Sequence, residues 1–426
     1  MKRSRTLTLA IALTLILSLV AGCSGTKKEE PAAGSETKAE TPAPEKKEPV
    51  EVSFWAYQPD NPENQKLLES IVDEWNKSNP DIQIKLAAIP RDTWDEKLNT
   101  AIAGGVAPDI SYLDQPKVAQ WAKEGTLLDI TQYADGQNGI KRDEYIEGAL
   151  LTNEVDGKLY GLPLNMTTVA MFYNKDLVPT PPKTWDEWLA ISKQVYKKGE
   201  ISAFEGPWGG GWGAWLFPAF GGTNDCYMAN KENTEVTFNS PQCVETFKFI
   251  HQIFQNNDMD VITSNEAFGN GKVAMKVSGA WDVVHYKNNF PNLNFGVTLI
   301  PKNTRYASNI GGENLVAYKS TKNPEAVFQV MKYLTNDVNS VKFADITGNF
   351  PIRVKASQDP KYTSDPYLSV FMEQLKYALP RPRITEWIKI NDEILGAVLD
   401  DLQQKGMDPK PILDEQVKKA HALMGK

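Results

Sequence analysis

From residue 50 onward the sequence alternates between two hydrophobic periods, and this alternation leaves few architectures open. Val50–Trp55 alternates residue by residue, as a half-buried strand does. Pro62–Ser78 then carries Leu67, Leu68, Ile71, Val72 and Trp75 at helical spacing until Asn79-Pro80 stops it. Ile82, Ile84 and Leu86 return to period two. Trp94, Leu98, Ala101 and Ile102 mark a second helix that ends at Gly104-Gly105, and Asp109–Leu113 reads as the next buried strand. Strand, helix, strand, helix, strand in that order calls for a largely parallel sheet covered by helices. The pattern restarts after about residue 165. Thr184-Trp185-Asp186-Glu187 is a capping box opening a helix to about Lys198, and Val244–Asn256 places Phe247, Ile250, Ile253 and Phe254 at helical spacing. Strands are expected at Lys272–Val277 and Asn294–Leu299. The expectation is an α/β chain in two lobes, and 426 residues suit that at about 150 per domain.

The segment ahead of this pattern has a different character. Lys2, Arg3 and Arg5 precede Leu7–Val20, an apolar run too short to span a bilayer and suited to an export signal. It ends in Val20-Ala21-Gly22-Cys23, which resembles the bacterial lipobox; the resemblance implies a diacylglycerol on the Cys23 sulfur and cleavage before it. An uncleaved anchor helix is the alternative. Ser24–Pro49 holds only Ala, Gly, Ser, Thr, Pro, Lys and Glu, with no aromatic or large aliphatic residue, and cannot offset its chain entropy by burial, so a disordered tether is expected. These readings place the protein on the outer face of the cytoplasmic membrane, in contact with it through the lipid. Loss of the leader's three cations takes the formal charge from −8 to −11, which argues against nucleic acid as a partner. With Cys23 acylated, Cys226 and Cys243 are the remaining sulfurs, and an oxidising compartment favours their pairing over two reduced thiols.

Eleven tryptophans are many for such a chain. Trp75, Trp94, Trp121, Trp185 and Trp188 fall on helical patterns and are assigned to packing. Trp55, Trp208, Trp212, Trp215, Trp281 and Trp387 lie beside turn residues, and the run Pro207–Trp215 is so rich in glycine that its indoles have little to pack on locally. A pyranose offers a CH face that stacks on an indole and an edge of hydroxyls that pairs with Asp, Asn and Arg, so this mixture suits carbohydrate. Some of the six are expected to be structural. The three histidines, His251, His285 and His421, have no metal-ligand spacing, and no nucleophile elbow, dinucleotide fingerprint or phosphate loop is present. A glycoside hydrolase needs only two suitably placed carboxylates, so a secreted glycosidase stays open as the rival.

Several short motifs occur in a telling order: Val52-Ser53-Phe54-Trp55, Gly105-Val106-Ala107-Pro108-Asp109-Ile110, Tyr160-Gly161-Leu162-Pro163 and Phe172-Tyr173-Asn174-Lys175-Asp176-Leu177. Phe217-Pro218-Ala219-Phe220-Gly221-Gly222, Gly271-Lys272-Val273-Ala274-Met275, Gly279-Ala280-Trp281 and Gly311-Gly312-Glu313-Asn314 follow. Together they resemble the extracellular solute-binding lipoproteins of bacterial sugar ABC transporters, the maltose-binding-protein-like and multiple-sugar branch. The resemblance implies a periplasmic-binding-protein-like fold of two discontinuous lobes joined by hinge crossings, residues 50–164 with 302–351 and residues 165–301 with 352–426. It implies 1–22 as signal peptide, 23–49 as lipidated tether, no catalytic residue and no cofactor.

Carried over by position, the resemblance implies a ligand cleft touched by Trp55, Tyr112 and Asp114, by Asn165 and Thr167 in the first crossing, and by Gly312 and Glu313 in the second. Trp212, Trp215 and Trp281 match places where sugar rings stack, and Trp387 the carboxy-terminal wall. Asp114 has an alternative reading as the N-cap of the helix that follows it. The implied function is a monomeric receptor that captures a carbohydrate, most simply an oligosaccharide, and delivers it to ABC permease subunits by hinge closure. The same fold binding iron, a polyamine or a peptide is a further alternative, which a tryptophan-rich cleft does not favour.

Overall fold

The computed structural model describes residues 48–205, 210–258, 261–262, 266–399 and 408–426. The leader, Cys23, the tether and Trp208 lie outside the described residues. In chain order the strands are β1 Val50–Tyr57, β2 Ile82–Ile89, β3 Ile110–Asp114, β4 Glu154–Val155, β5 Lys158–Leu159, β6 Gly161–Pro163 and β7 Val169–Asn174. They continue with β8 Ser202–Phe204, β9 Val273–Gly279, β10 Phe295–Thr298, β11 Ser308–Asn309, β12 Glu313–Ala317 and β13 Ala378–Leu379. The helices used below are α1 Pro62–Ser78, α2 Trp94–Ala103, α3 Gln115–Lys123, α4 Thr131–Ala134, α5 Glu147–Leu151 and α6 Trp185–Val195. After them come α7 Gly210–Gly222, α8 Pro241–Phe254, α9 Trp281–Asn289, α10 Pro324–Leu334 and α11 Asp337–Thr347.

Two sheets organise the molecule. The first has the order β2-β1-β3-β12-β6, with β1 parallel to β2 and β3, and β12 antiparallel to β3 and β6. The second has the order β10-β7-β9-β8. Strand β1 turns Val52, Phe54 and Ala56 inward, and α1 lays Leu68, Ile71, Val72 and Trp75 against that side. Helix α1 starts where Asn61 Oδ1 accepts the Asn64 N–H at 2.8 Å and Pro62 supplies a preset φ. Thr184 caps α6 as expected, its Oγ1 accepting the Glu187 N–H at 3.3 Å, but the reciprocal half of the box is not made, since the Glu187 carboxylate accepts the N–H of Lys183. A second core gathers Trp188, Phe204, Phe217, Phe220 and Phe247 beneath the second sheet.

The chain passes between the sheets where Asn165–Thr168 joins β6 to β7 and where Ile310–Gly312 joins β11 to β12. Thr167 and Gly311 exchange both backbone hydrogen bonds at 2.9 Å, and Met166 exchanges bonds of 3.0 and 2.8 Å with Phe350. Gly312 holds φ at 125°, and a Cβ there would stand 2.4 Å from the Asn165 carbonyl oxygen, so no other residue fits this strand-to-strand approach. Downstream, Arg353 pairs with Glu144 and Asp337 beside the first sheet, and Leu368–Leu375 then packs on the second. Cys226 and Cys243 are joined by a disulfide, as the compartment argument expects, and it ties the loop after α7 to the start of α8. Among the described residues no helix is long and apolar enough to cross a membrane.

Candidate functional site

The two lobes face each other across a cavity of about 250 Å³. Tyr57, Arg91, Trp94, Asp95, Asp114 and Lys117 line it from the first lobe, and Arg381, Trp387, Asn391 and Asp392 from the second. Because β1 turns its even-numbered residues into the core, Trp55 and Tyr57 emerge on its other face. Tyr57 reaches the cavity wall, while Trp55, two residues earlier, rests half-buried on the first core. Burial, and after it the Glu313 carboxylate, pushes the Tyr57 phenol well above its usual range, so it stays a hydrogen-bond donor.

Asp114 occupies the N-cap position of α3 but makes no capping bond. Its carboxylate instead accepts two hydrogen bonds from Arg381, Nη2 to Oδ1 at 2.5 Å and Nη1 to Oδ2 at 3.2 Å, so this fork spans from one lobe to the other. The register of β12 on β3 sets Glu313 opposite Asp114, and Glu313 Oε1 accepts from Arg91 Nη1 at 3.3 Å. The Arg91 guanidinium also lies 4.4 Å over the Tyr57 ring. Lys117 and Asp95 close a third pair at 2.5 Å. Each cation of the cleft therefore already has a carboxylate partner.

Tyr112 corrects the sequence expectation of a residue at the cleft edge. It is 1% exposed, and its ring sits beneath the wall, 5.2 Å from Tyr57, 5.8 Å from Phe54 and 6.3 Å from Phe343. The strand is buried on both faces, so alternation could not tell cleft from core. Trp94 shows the opposite: it is buried, as its helical spacing implies, yet one edge of it lines the cavity. Trp387 is similarly rooted in the second core and contributes to the wall.

Polar side chains also gather at the pair of crossings. Asn165 Nδ2, Thr167 Oγ1, Gln115 Oε1, Glu313 Oε2 and Asn349 Oδ1 are buried there without a hydrogen-bond partner among the described residues. The other amide atoms of Asn165 and Gln115 are engaged, Asn165 Oδ1 accepting from Asn349 Nδ2 at 3.0 Å and Gln115 Nε2 donating to the Gly311 carbonyl at 3.1 Å, so the crossings keep polar capacity to spare. Beside it, Trp212 stacks on Trp215 with centroids 5.1 Å apart and 27° between planes, and Trp281 closes the trio at 6.4 and 6.3 Å. Trp215 reaches the second crossing, since its Cζ2 lies 3.0 Å from where a Cβ on Gly311 would be. Trp212 is 48% exposed, leaving an indole face open to solvent.

From Gly210 onward the glycine-rich segment is the start of α7, so Trp212 and Trp215 stand on a helix rather than beside a turn. Trp281 opens helix α9, whose next residue, Asp282, accepts from Lys276 Nζ at 3.0 Å. Lys276 also contacts Glu205 at 2.8 Å and the Tyr286 hydroxyl at 2.8 Å. Burial alone would lower the Lys276 ammonium, but Glu205 and Asp282 together hold it well above its usual range, and burial raises the Glu205 carboxyl. This quartet fixes the helix that presents Trp281. Among the described residues no group of His, Cys, Asp and Glu is set to hold a metal ion.

Sequence reasoning did not single out Tyr57, Arg91, Arg381, Asn391 or Asp392. The only signal for Arg381 was its place in Leu379-Pro380-Arg381-Pro382-Arg383, where prolines stiffen an extended segment that can carry side chains across a gap.

A two-lobed α/β fold with a polar cavity between its lobes and an indole trio beside its crossings is the architecture of a solute-binding protein. Residues 70–369 match the family described as bacterial extracellular solute-binding protein, and the chain belongs to that family. It is 27% identical to the maltodextrin-binding protein MdxE of Bacillus subtilis (strain 168) over 343 residues, 76% of this chain and 79% of the relative. The sugar-binding protein MalE from Xanthomonas citri superposes with a TM-score of 0.77 at 25% identity, covering 88% of this chain and 98% of that one. The substrate-binding protein Lmo0181 from Listeria monocytogenes, solved in complex with cycloalternan, gives 0.75 at 23% identity, with 88% and 99% covered.

Proposed function

We propose that this chain is an oligosaccharide receptor, held at the outer face of the cytoplasmic membrane by a lipid on Cys23, that delivers its ligand to an ABC importer by hinge closure. The observation that carries the reading is the trio Trp212, Trp215 and Trp281 set against the unmatched polar atoms of the crossings. Indole faces suit the CH faces of pyranoses, and the crossing amides and hydroxyls suit their hydroxyl edges. The similarity to a maltodextrin-binding protein supports the same ligand class. Capture without chemistry is the reading, because the two carboxylates on the cleft's central strands, Asp114 and Glu313, are each engaged by an arginine.

A screen of neutral oligosaccharides by thermal shift tests this. A cleft ligand at 100 times its Kd is expected to stabilise the protein by about 2.7 kcal/mol. The bound sugar should come back from long incubation with its chain length unchanged. Failure of every saccharide to shift the transition would refute the receptor reading. Hydrolysis that survives purification and disappears on one carboxylate substitution would establish the glycosidase instead.

A further inference from the structure

The cleft cavity, at about 250 Å³, is smaller than the roughly 300–1,000 Å³ of pockets that enclose a drug-sized ligand. A longer oligosaccharide must leave it. Arg381 lines this cavity and also a second one, a groove of about 790 Å³ on the second lobe. The groove runs between the loop that follows α7 and the segment Leu379–Arg383. One residue is therefore common to both linings.

The groove offers one aromatic ring and several apolar faces. Tyr227 is 40% exposed, and its hydroxyl is tethered, donating to Asp225 Oδ1 at 3.0 Å while Arg305 Nη1 donates to it at 3.2 Å, so the ring is held while part of it faces solvent. Across from it stand Pro380 and Pro382, which offer apolar ring faces and no N–H, and so cannot pair with a peptide added as a strand. Lys231 and Gln242 stand on the loop side of the groove as hydrogen-bonding residues, while Asn230 is spent on its own turn, its Oδ1 accepting the Thr234 N–H at 2.8 Å. The neighbouring disulfide holds the Tyr227 loop against α8, and Asn233 Oδ1 accepts the Arg383 N–H at 2.9 Å, so both walls are fixed before anything binds.

Resting on the receptor reading above, we infer that this groove is an outer saccharide subsite: it takes the distal units of a chain whose first units occupy the cleft, with Tyr227 as its stacking platform. The protein thereby selects for chain length.

Calorimetric titration with α-1,4-glucan, β-1,4-galactan and α-1,5-arabinan oligomers of two to seven units decides the matter, using whichever series binds. Affinity in the wild type is expected to rise about tenfold or more from the shortest bound member to the longest. Tyr227→Ala should abolish that rise while binding the shortest member as the wild type does, and Tyr227→Phe should restore it. An affinity that does not depend on length, or a rise that persists in Tyr227→Ala, overturns the outer subsite while leaving the receptor intact. No binding by any series overturns the receptor reading, and the subsite with it.

Discussion

Trp281 stands where three demands meet: it opens a helix, sits beside two other indoles, and lies against Gly348 at the end of α11. Trp387 is its contrast, being 1% exposed and rooted in the second core. Trp281→Ala is expected to weaken sugar binding by about 1–3 kcal/mol, or roughly 10- to 100-fold, with little change in the stability of the free protein. Trp387→Ala should cost about 3–5 kcal/mol of stability, because it empties a packed site. Calorimetry with the identified sugar and denaturant unfolding of both variants separate the two roles, and a Trp281 variant that unfolds easily but binds normally would return that indole to the core. At this scale the sequence was partly legible. Indoles beside turns were recognisable as cleft candidates, and Trp212, Trp215 and Trp281 do come together. Tyr112 was misread because a strand buried on both faces has no informative alternation. The role of Arg381 was missed because its partner, Asp114, is 267 residues away and no local pattern records such a pair.

Elements with strong local signals agree closely with expectation. Helix α1 spans the residues its periodicity implied, and α6 begins directly after its capping threonine. Helix α7 is the exception. Glycine weighs against helix by about 1 kcal/mol per residue relative to alanine, so a run of glycines reads as a loop. Here tertiary packing prevails, since α7 lies against the π-helical turn Ile390–Leu395 at a backbone-to-backbone distance that leaves no room for side chains. A Cβ on Gly396 would come within 2.8 Å of the Gly210 carbonyl carbon. Gly396→Ala should therefore push α7 outward and cost about 1–3 kcal/mol of stability as an overpacked contact. Because α7 carries Trp212 and Trp215, ligand affinity is expected to fall in the same variant. Crystal or solution evidence that the helix has not moved, with affinity unchanged, would break the link between this packing and the indole trio.

Across the whole molecule, the lobes are joined by backbone at the crossings and by the Arg381–Asp114 fork at the cleft. The fork is made of charge-assisted hydrogen bonds between groups of unequal exposure, 11% for the Arg381 side chain and 44% for that of Asp114. It biases the lobes toward approach, and a ligand that contacts both lobes adds to the bias. Arg381→Met should shift the free protein toward open forms, seen as a larger radius of gyration in X-ray scattering, and should weaken ligand binding about fivefold to tenfold. The penalty in the wild type for raising salt should shrink in the variant. An unchanged radius together with unchanged affinity would show that the fork is incidental to closure.

The position of β12 has a consequence for how the molecule comes into being. This strand, Glu313–Ala317, lies between β3 and β6 in the first sheet, so a chain released residue by residue from its amino terminus holds that sheet as two unjoined pieces until roughly three-quarters of it has emerged. Early folding of the leading lobe is blocked by topology, since the closing contacts bridge long stretches of chain. Were the chain exported as an unstructured thread, such lateness would be an asset: the thread would stay threadable until the missing strand arrived on the far side, and one insertion would then complete the sheet and set the second crossing in place.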